Sequence, residues 1–357
     1  MKQITFIICP TLQCNINCKH CYVAEARKTH KGILSDREVV LGVKNTLIGL
    51  FGWNSEDFEN SQVNLIFHGG EPLLMGQKFY EKVIEGFVKE GMNVTFSIQT
   101  NFLLYGERWD SLFFKYLNLK TSLGNRMFRG ISTSWDFFTG YRGWDVVDFE
   151  SKILDNIRKY QDSLGQTLKV ITVLSKKNKD KIEEIIDFVD CIKTDIKFNF
   201  LEASGNAAYY ASDDCLSPME YAMSVFKAFE YYRKKKYNFV LEPIQFYIDA
   251  IRDNKKIFNC PFTDNCAEYI FCLVPGGYVY NCLTSFVKGK YFYGNALQNK
   301  WLIKNFLKSK VDQISSKECI DCRVCYGGCK LLKKNGKTYF CDSYKYLYEK
   351  IQKIVCF

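Results

Sequence analysis

No stretch of this chain approaches the ~18–20 uninterrupted apolar residues that a membrane-spanning helix requires, although 47% of its residues are hydrophobic. The N-terminus, Met1-Lys2-Gln3 before a strand-like run, lacks the long apolar segment and small-residue cleavage site of a secretion signal. These absences argue against a membrane protein and a secreted one, and place the expected location in the cytoplasm. Internal repeats and low-complexity tracts are also missing. No nucleic-acid recognition motif accompanies the formal charge of +10, so nucleic-acid binding is disfavoured. The densest basic run, Arg233-Lys234-Lys235-Lys236, falls at a predicted helix end, where cations are favoured by the helix dipole.

What is present in quantity is cysteine. The 357 residues contain 16. In a short secreted chain these would form disulfides; in a long chain without a signal they point to metal ligands. Their placement is uneven. Cys14, Cys18 and Cys21 crowd one loop, and ten cysteines fall between Cys260 and Cys356. The length allows a large domain plus a smaller one.

The first 200 residues alternate. Strands are predicted at Ile4–Cys9, Val63–Phe67, Val94–Ile98, Arg129–Ser134, Leu168–Leu174 and Ile196–Leu201. Helices are predicted between them, the first opening at the capping box Ser35-Asp36-Arg37-Glu38. Six strands alternating with helices imply right-handed crossovers and a parallel sheet, open or curled toward a barrel. Chemistry in such folds gathers at the carboxyl ends of strands. The cysteine loop, His68-Gly69-Gly70-Glu71-Pro72, Gln99-Thr100-Asn101 and Ser134 all fall at such ends. A long helix is predicted over Ser217–Lys236 and a shorter one over Pro243–Arg252. The alternation stops near Asn254–Asn259. We expect three segments: residues 1–215, a helical linker at 216–258, and a cysteine-rich domain at 259–357.

Three thiolates in eight residues can surround one small object. A cubane iron–sulfur cluster takes four ligands, so three leave one iron open. Zinc is the alternative, but zinc knuckles usually pair Cys-x-x-Cys units and only one is present locally. At Cys14-x-x-x-Cys18-x-x-Cys21 after a first strand the chain resembles the radical S-adenosylmethionine (SAM) enzymes. Gly69-Gly70-Glu71-Pro72 after the second strand resembles the same family's Gly-Gly-Glu-Pro motif. The resemblance implies a partial (β/α)6 barrel, a [4Fe–4S] cluster on the three cysteines, and SAM on the open iron. SAM would be cleaved to a 5′-deoxyadenosyl radical, with the protein positioning it and excluding water. It further implies that Gly69, Gly70 and Glu71 meet the SAM amino group, and that Ser134 (or Ser132) with Arg142 meets the ribose and carboxylate. Asn101 would follow the third strand, with Phe102 in place of a usual glycine. His20 would lie flat beside adenine, and Leu201 at the sixth strand would touch it. Without the resemblance, Gly69-Gly70 reads as a strand-to-helix turn, Ser134 as a cap and Arg142 as a surface residue. Trp135, Phe137, Phe138, Tyr141 and Trp144 form an aromatic loop, either a substrate wall or core.

The C-terminal cysteines look like the SPASM-type extension of radical SAM enzymes that modify peptides and proteins. By that pattern Cys260, Cys266, Cys282 and Cys329 hold one auxiliary [4Fe–4S] cluster, and Cys319, Cys322, Cys325 and Cys341 a second. Three clusters with one iron reserved for SAM need eleven thiolates, and the pattern supplies eleven. Cys9, Cys191, Cys215, Cys272 and Cys356 remain as buried thiols, with Cys272 a possible substitute ligand. Only Arg323 and Val324 separate Cys322 from Cys325, where the family usually has five residues. A pair of zinc ribbons is the alternative.

The function implied is a radical SAM peptide maturase that takes hydrogen from a ribosomally made peptide and installs a crosslink or another oxidative modification. The alternatives are an anaerobic sulfatase-maturing (formylglycine-generating) enzyme, a small-molecule dehydrogenase or epimerase, and a non-catalytic iron–sulfur scaffold. Sulfatase maturases carry an aspartate base directly after the cysteine matching Cys282; here it is Leu283. The chain starts almost at its first strand, leaving no room for a leader-gripping module, so a separate leader-binding protein or the enzyme's own surface is expected to serve. The basic charge would suit an acidic leader. A reductant such as flavodoxin or ferredoxin is also implied.

Overall fold

The computed structural model describes residues 2–143, 145–311, 319 and 322–356. Six parallel strands lie side by side in chain order: β1 (Lys2–Ile8), β2 (Ser61–Phe67), β3 (Asn93–Thr100), β4 (Phe128–Ser134), β5 (Lys169–Leu174) and β6 (Asp195–Phe200). Consecutive neighbours joined by helices are what right-handed crossovers produce. The strands are apolar where they face the helical layer. Ile4, Phe6 and Ile8 of β1 are buried, as are Val63, Leu65 and Phe67 of β2 and Val94, Phe96 and Ile98 of β3. Each such side chain contributes roughly 1.5–3 kcal/mol on burial.

The sheet extends past these six. Beyond β6 lies β7 (Leu241–Glu242), parallel to it. Beyond β1 lies β8 (Ile270–Val274), pairing Thr5 with Ile270 through Ile8 with Leu273 in parallel. Three antiparallel strands follow: β9 (Tyr278–Tyr280), β10 (Phe292–Asn295) and β11 (Lys300–Trp301). The result is one mixed sheet of eleven strands with β7 and β11 at its edges, not a closed barrel. Sequence reading did not foresee these last five strands. All three expected segments supply strands to the sheet.

The helices begin where the side chains direct. Ser35 and Glu38 form the expected capping box, and the helix Asp36–Phe51 ends at Gly52 in the left-handed conformation. Ser217 and Glu220 form another box, with Pro218 in the first turn, and that helix runs to Lys235. The basic run therefore does sit at a helix C-terminus. The helix Gln77–Lys89 buries Phe79, Tyr80, Val83, Ile84 and Phe87 along one face. No helix among the described residues is long and apolar enough to cross a membrane.

Candidate active site

The carboxyl ends of β1–β6 border a cavity of about 440 Å³. Cys14, Cys18 and Cys21 line one side of it, and Cys260, Cys282 and Cys329 line another. Its size is that of a pocket for a small molecule or cofactor.

The three-cysteine loop is held at its backbone. Arg27 donates to the carbonyls of Cys14 and Ile16, each at 3.3 Å. Asn206 donates from its side chain to the Cys18 carbonyl at 3.0 Å, and from its backbone to the Cys21 carbonyl, also at 3.0 Å. The Asn101 amide donates to Asn15 Oδ1 at 2.7 Å. From below, the Glu71 N–H donates to the Gln13 carbonyl at 2.7 Å. This last contact explains the two glycines. A Cβ on Gly70 would stand 2.0 Å from the Gln13 carbonyl oxygen, and one on Gly69, at φ +111°, 2.7 Å from that of Thr11. Gly69-Gly70 thus lets the second loop press backbone to backbone under the first, while both glycines also line the cavity.

Glu71 is fully buried behind that wall and is not among the cavity-lining residues. Its Oε1 accepts from the Leu73 N–H at 2.8 Å and the Thr100 hydroxyl at 2.7 Å, and its Oε2 from the Asn101 N–H at 2.8 Å. Burial pushes its carboxyl up to about 7, against the pull of those three donors. The carboxylate therefore locks the β3 loop to the second loop. Phe102 follows in the left-handed region at φ 66°, the conformation expected of the glycine it replaces. Its buried ring stacks on Tyr105 at 4.6 Å, which offsets the backbone strain.

Ser134 accepts from the Gln99 amide at 2.9 Å and lines the cavity. Ser132, one step deeper, donates to the other end of the same amide. Leu201 lines the cavity and packs with Tyr141, Ala207 and Ala211. Arg142 and His20 also line it, joined by a residue the sequence reading passed over. Asp136 is buried, and its Oδ2 lies 2.9 Å from Arg142 Nε and 3.1 Å from His20 Nε2. Its Oδ1 accepts from the Val173 N–H at 2.8 Å. Burial pushes this carboxyl up, but Arg142, His20 and the Val173 N–H outweigh it and hold it well below the usual carboxylate range. Arg142 Nη1 reaches Cys18 Sγ at 3.8 Å. Of the aromatic crowd around Asp136, Trp135, Phe137 and Tyr141 are buried. Trp135 stacks on Phe137 at 4.9 Å and both meet Phe188, while Phe138 is half-exposed. Trp144 lies outside the described residues.

The C-terminal cysteines gather as two sets. The Cys266 thiol is pushed up to about 12 by burial and then by the nearby Cys282 and Cys329. Cys260 interacts electrostatically with the same three. The Cys325 thiol is likewise raised to about 12, by burial and then by Cys322, Cys341 and Cys319. The shortened Cys322–Cys325 spacing thus does not keep those four apart. Cys18 is also raised to about 12, chiefly by burial. Buried thiols of this kind ionise only when a cation compensates them, as bound metal does. Among the described residues no three His, Cys, Asp or Glu side chains converge on a single ion. Three groups of three, four and four thiols, separately clustered, fit cubane clusters.

Of the remaining cysteines, Cys9 and Cys272 are the buried thiols expected, and Cys191, Cys215 and Cys356 are not. Cys9 and Cys272 are buried, with sulfurs 3.9 Å apart across the β1–β8 seam, so Cys272 is a core partner and not a cavity ligand. Cys191 and Cys356 are exposed and Cys215 is half-buried. Periodicity had no hold on them because they lie at helix and chain ends.

Known proteins agree with this picture. No family model matches the chain. The cysteine-type anaerobic sulfatase-maturating enzyme of Clostridium novyi (strain NT) is 26% identical over 378 residues, covering 98% of this chain and 96% of that protein. Its counterpart in Clostridium perfringens (strain ATCC 13124) is 24% identical with the same coverage. Among solved structures, native anSMEcpe with bound AdoMet superposes with a TM-score of 0.74 at 19% identity, covering 99% of each chain. Streptococcus suis SuiB bound to precursor peptide SuiA superposes at 0.62 and 16% identity, covering 96% of this chain and 76% of SuiB. In sequence and in fold the chain is similar to radical SAM enzymes with a SPASM-type extension. The radical SAM motif accounts for the rim of the cavity, and the extension brings its cysteines to the same space. What sequence reasoning missed in this site is Asp136, whose only signal was one acidic residue amid aromatics.

Proposed function

We propose that this chain is a peptide maturase that takes hydrogen from a ribosomally made peptide and installs a crosslink or another oxidative modification. The observation that supports the reading best is the shared cavity, bordered by Cys14, Cys18 and Cys21 on one side and by Cys260, Cys282 and Cys329 on another. The first three would hold a [4Fe–4S] cluster with an iron open to SAM. Gly69, Gly70, Asn101, Ser134, Arg142, His20 and Leu201 line the space where SAM would lie. When bound, cluster and SAM supply one-electron chemistry capable of abstracting hydrogen from an unactivated carbon. The chain's own residues provide a cation beside Cys18, a rigid loop and walls that exclude water. Two auxiliary clusters would be held by Cys260, Cys266, Cys282 and Cys329, and by Cys319, Cys322, Cys325 and Cys341. A peptide substrate suits SuiB's precursor peptide and the peptide-bound forms of anSMEcpe. A separate leader-binding protein, a flavodoxin or ferredoxin as reductant, and a cytoplasmic location complete the reading.

Formylglycine formation is the second reading, favoured by the two Clostridium relatives. Leu283 stands against it. Its side chain is buried in an apolar cluster with Cys9, Leu12, Val23 and Cys272, and is not among those lining the cavity. The deciding assay is anaerobic reconstitution with iron, sulfide, dithionite and SAM. Release of 5′-deoxyadenosine is expected, and its loss on replacing Cys14, Cys18 and Cys21 with alanine. No 5′-deoxyadenosine from the intact protein would end the proposal. Mass spectrometry of a modified peptide would separate a crosslink from a formylglycine.

A further inference from the structure

Strand β6 turns alternate side chains to opposite faces of the sheet. Ile196 and Phe198 are buried, whereas Lys197 and Asn199 line the cavity. Among the described residues that line it, the Arg, Lys, Asp and Glu side chains are Arg27, Arg142, Lys197 and Glu202. Three of these are engaged. Arg27 holds the carbonyls of Cys14 and Ile16, Arg142 holds Asp136, and Glu202 is held by Lys288. Lys197 is matched less well. The carboxylate beside it is Glu242, at 3.8 Å, which is beyond hydrogen-bond distance. Lys169 is paired more closely with that same buried group. Two ammonium groups thus share one carboxylate, which leaves a positive charge in excess. Neither Lys197 Nζ nor the Asn199 side-chain amide makes a hydrogen bond among the described residues. An ammonium carries three donors and an amide two, so the missing acceptors belong to whatever fills the cavity. Lys197 and Asn199 also border, with Cys260, an adjoining cavity of about 30 Å³ that Gly69, Gly70, Asn101, Ser134 and Arg142 do not reach. The pair therefore faces the Cys260 side, away from the residues assigned to SAM.

We propose that Lys197, with Asn199 beside it, is a specificity-determining residue that takes a carboxylate of the peptide substrate. The inference rests on the peptide reading above and deepens it, because it names an anionic group on the substrate. A carboxylate is an acceptor at both oxygens, so an ammonium and an amide on one face of a strand can converge on it. With both partners charged, such a bond is about twice as strong as one between neutral groups. A peptide offers carboxylates from two sources, an acidic side chain and the C-terminus, and these are chemically separable. The rival use of Lys197 is to balance an anionic cluster at Cys260, which lies within its electrostatic reach. That role would favour no particular peptide.

The test is titration calorimetry on the anaerobically reconstituted full chain, loaded with S-adenosylhomocysteine so that the SAM part of the cavity is filled. Three pentapeptides are compared: acetyl-Ala-Ala-Glu-Ala-Ala-amide, its Gln counterpart, and the Gln peptide with a free C-terminal carboxylate. At least one anionic peptide should bind about tenfold more tightly than the neutral one, the gain from a hydrogen bond between charged groups, and that peptide names the source. Lys197→Gln should remove the preference while the neutral peptide keeps its affinity. Asn199→Ala should reduce the preference in part. Equal affinity of the unaltered protein for all three peptides overturns the inference, as does binding of none. A preference that survives Lys197→Gln overturns it too, and so does a loss of equal size for charged and neutral peptides, which would assign the charge to the cluster. Failure to load S-adenosylhomocysteine would bring down the cofactor reading and this inference with it; loading without a carboxylate preference brings down this inference alone. The comparison on the unaltered protein decides even where a variant fails to fold.

Discussion

The residues nearest the chemistry are constrained from behind. Glu71 shows how. Its carboxyl titrates near 7 in the folded chain because burial outweighs three hydrogen bonds. In the unfolded chain it returns to an ordinary carboxyl value. A folded-state value raised in this way stabilises most fully below the unfolded value, and that stability fades as pH climbs through about 7. Thermal melts of the cluster-free protein should therefore lose up to about 3 kcal/mol between pH 4.5 and 7.5 from this group. Glu71→Gln should flatten that part of the profile. A variant with the same slope as the parent would mean the slope comes from other groups.

At the scale of elements, a helix and a distant strand meet through a missing side chain. Gly49, in the helix Asp36–Phe51, lies under the indole of Trp301 on β11, and a Cβ there would stand 2.1 Å from its Nε1. Gly42 in the same helix faces Leu273 of β8 in the same way, at 2.7 Å. Alanine improves helix propensity by up to about 1 kcal/mol, yet Gly49→Ala must push the ring aside. We expect a net loss of about 1–2 kcal/mol in chemical denaturation, with a change in tryptophan fluorescence. An unchanged midpoint and spectrum would show that the contact yields freely. The same helix shows what could be read beforehand. Its start was written in Ser35 and Glu38, and the six central strands were visible as short apolar runs between turn signals. The two-residue strands β7 and β11 were not, since Leu241–Glu242 and Lys300–Trp301 are too short to carry a period and are strands only because β6 and β10 offer an edge. The site was legible where motif spacing carried it, at Cys14, Cys18, Cys21 and Gly69-Gly70. Asp136 was illegible because its significance comes from Arg142, His20 and Val173, which meet it only after folding. Leu283 was legible as a missing base but not as a core residue. Which way it faces is set by the helix Leu283–Val287 packing on Cys9 and Cys272.

For the whole molecule, the sheet leaves little room for an independent N-terminal half. β1 is hydrogen-bonded on both sides, to β2 and to β8, and β8 comes from the cysteine-rich segment. A fragment of residues 1–258 would expose the Thr5–Ile8 edge, four residues long and mostly apolar, a template for pairing with other chains. Size-exclusion chromatography and circular dichroism of that fragment should show aggregation or loss of cooperative melting. A monomer melting like the full chain would establish residues 1–258 as self-sufficient and support the boundary expected near residue 258.

That seam also sets a schedule for translation. Strand β1 acquires its second neighbour only once Ile270–Leu273 have left the ribosome, on the order of tens of seconds later at ordinary elongation rates. Throughout that interval the nascent chain carries an unprotected border at Thr5–Ile8. Holdase chaperones, or slow synthesis at low temperature, should therefore govern how much intact enzyme a cell recovers.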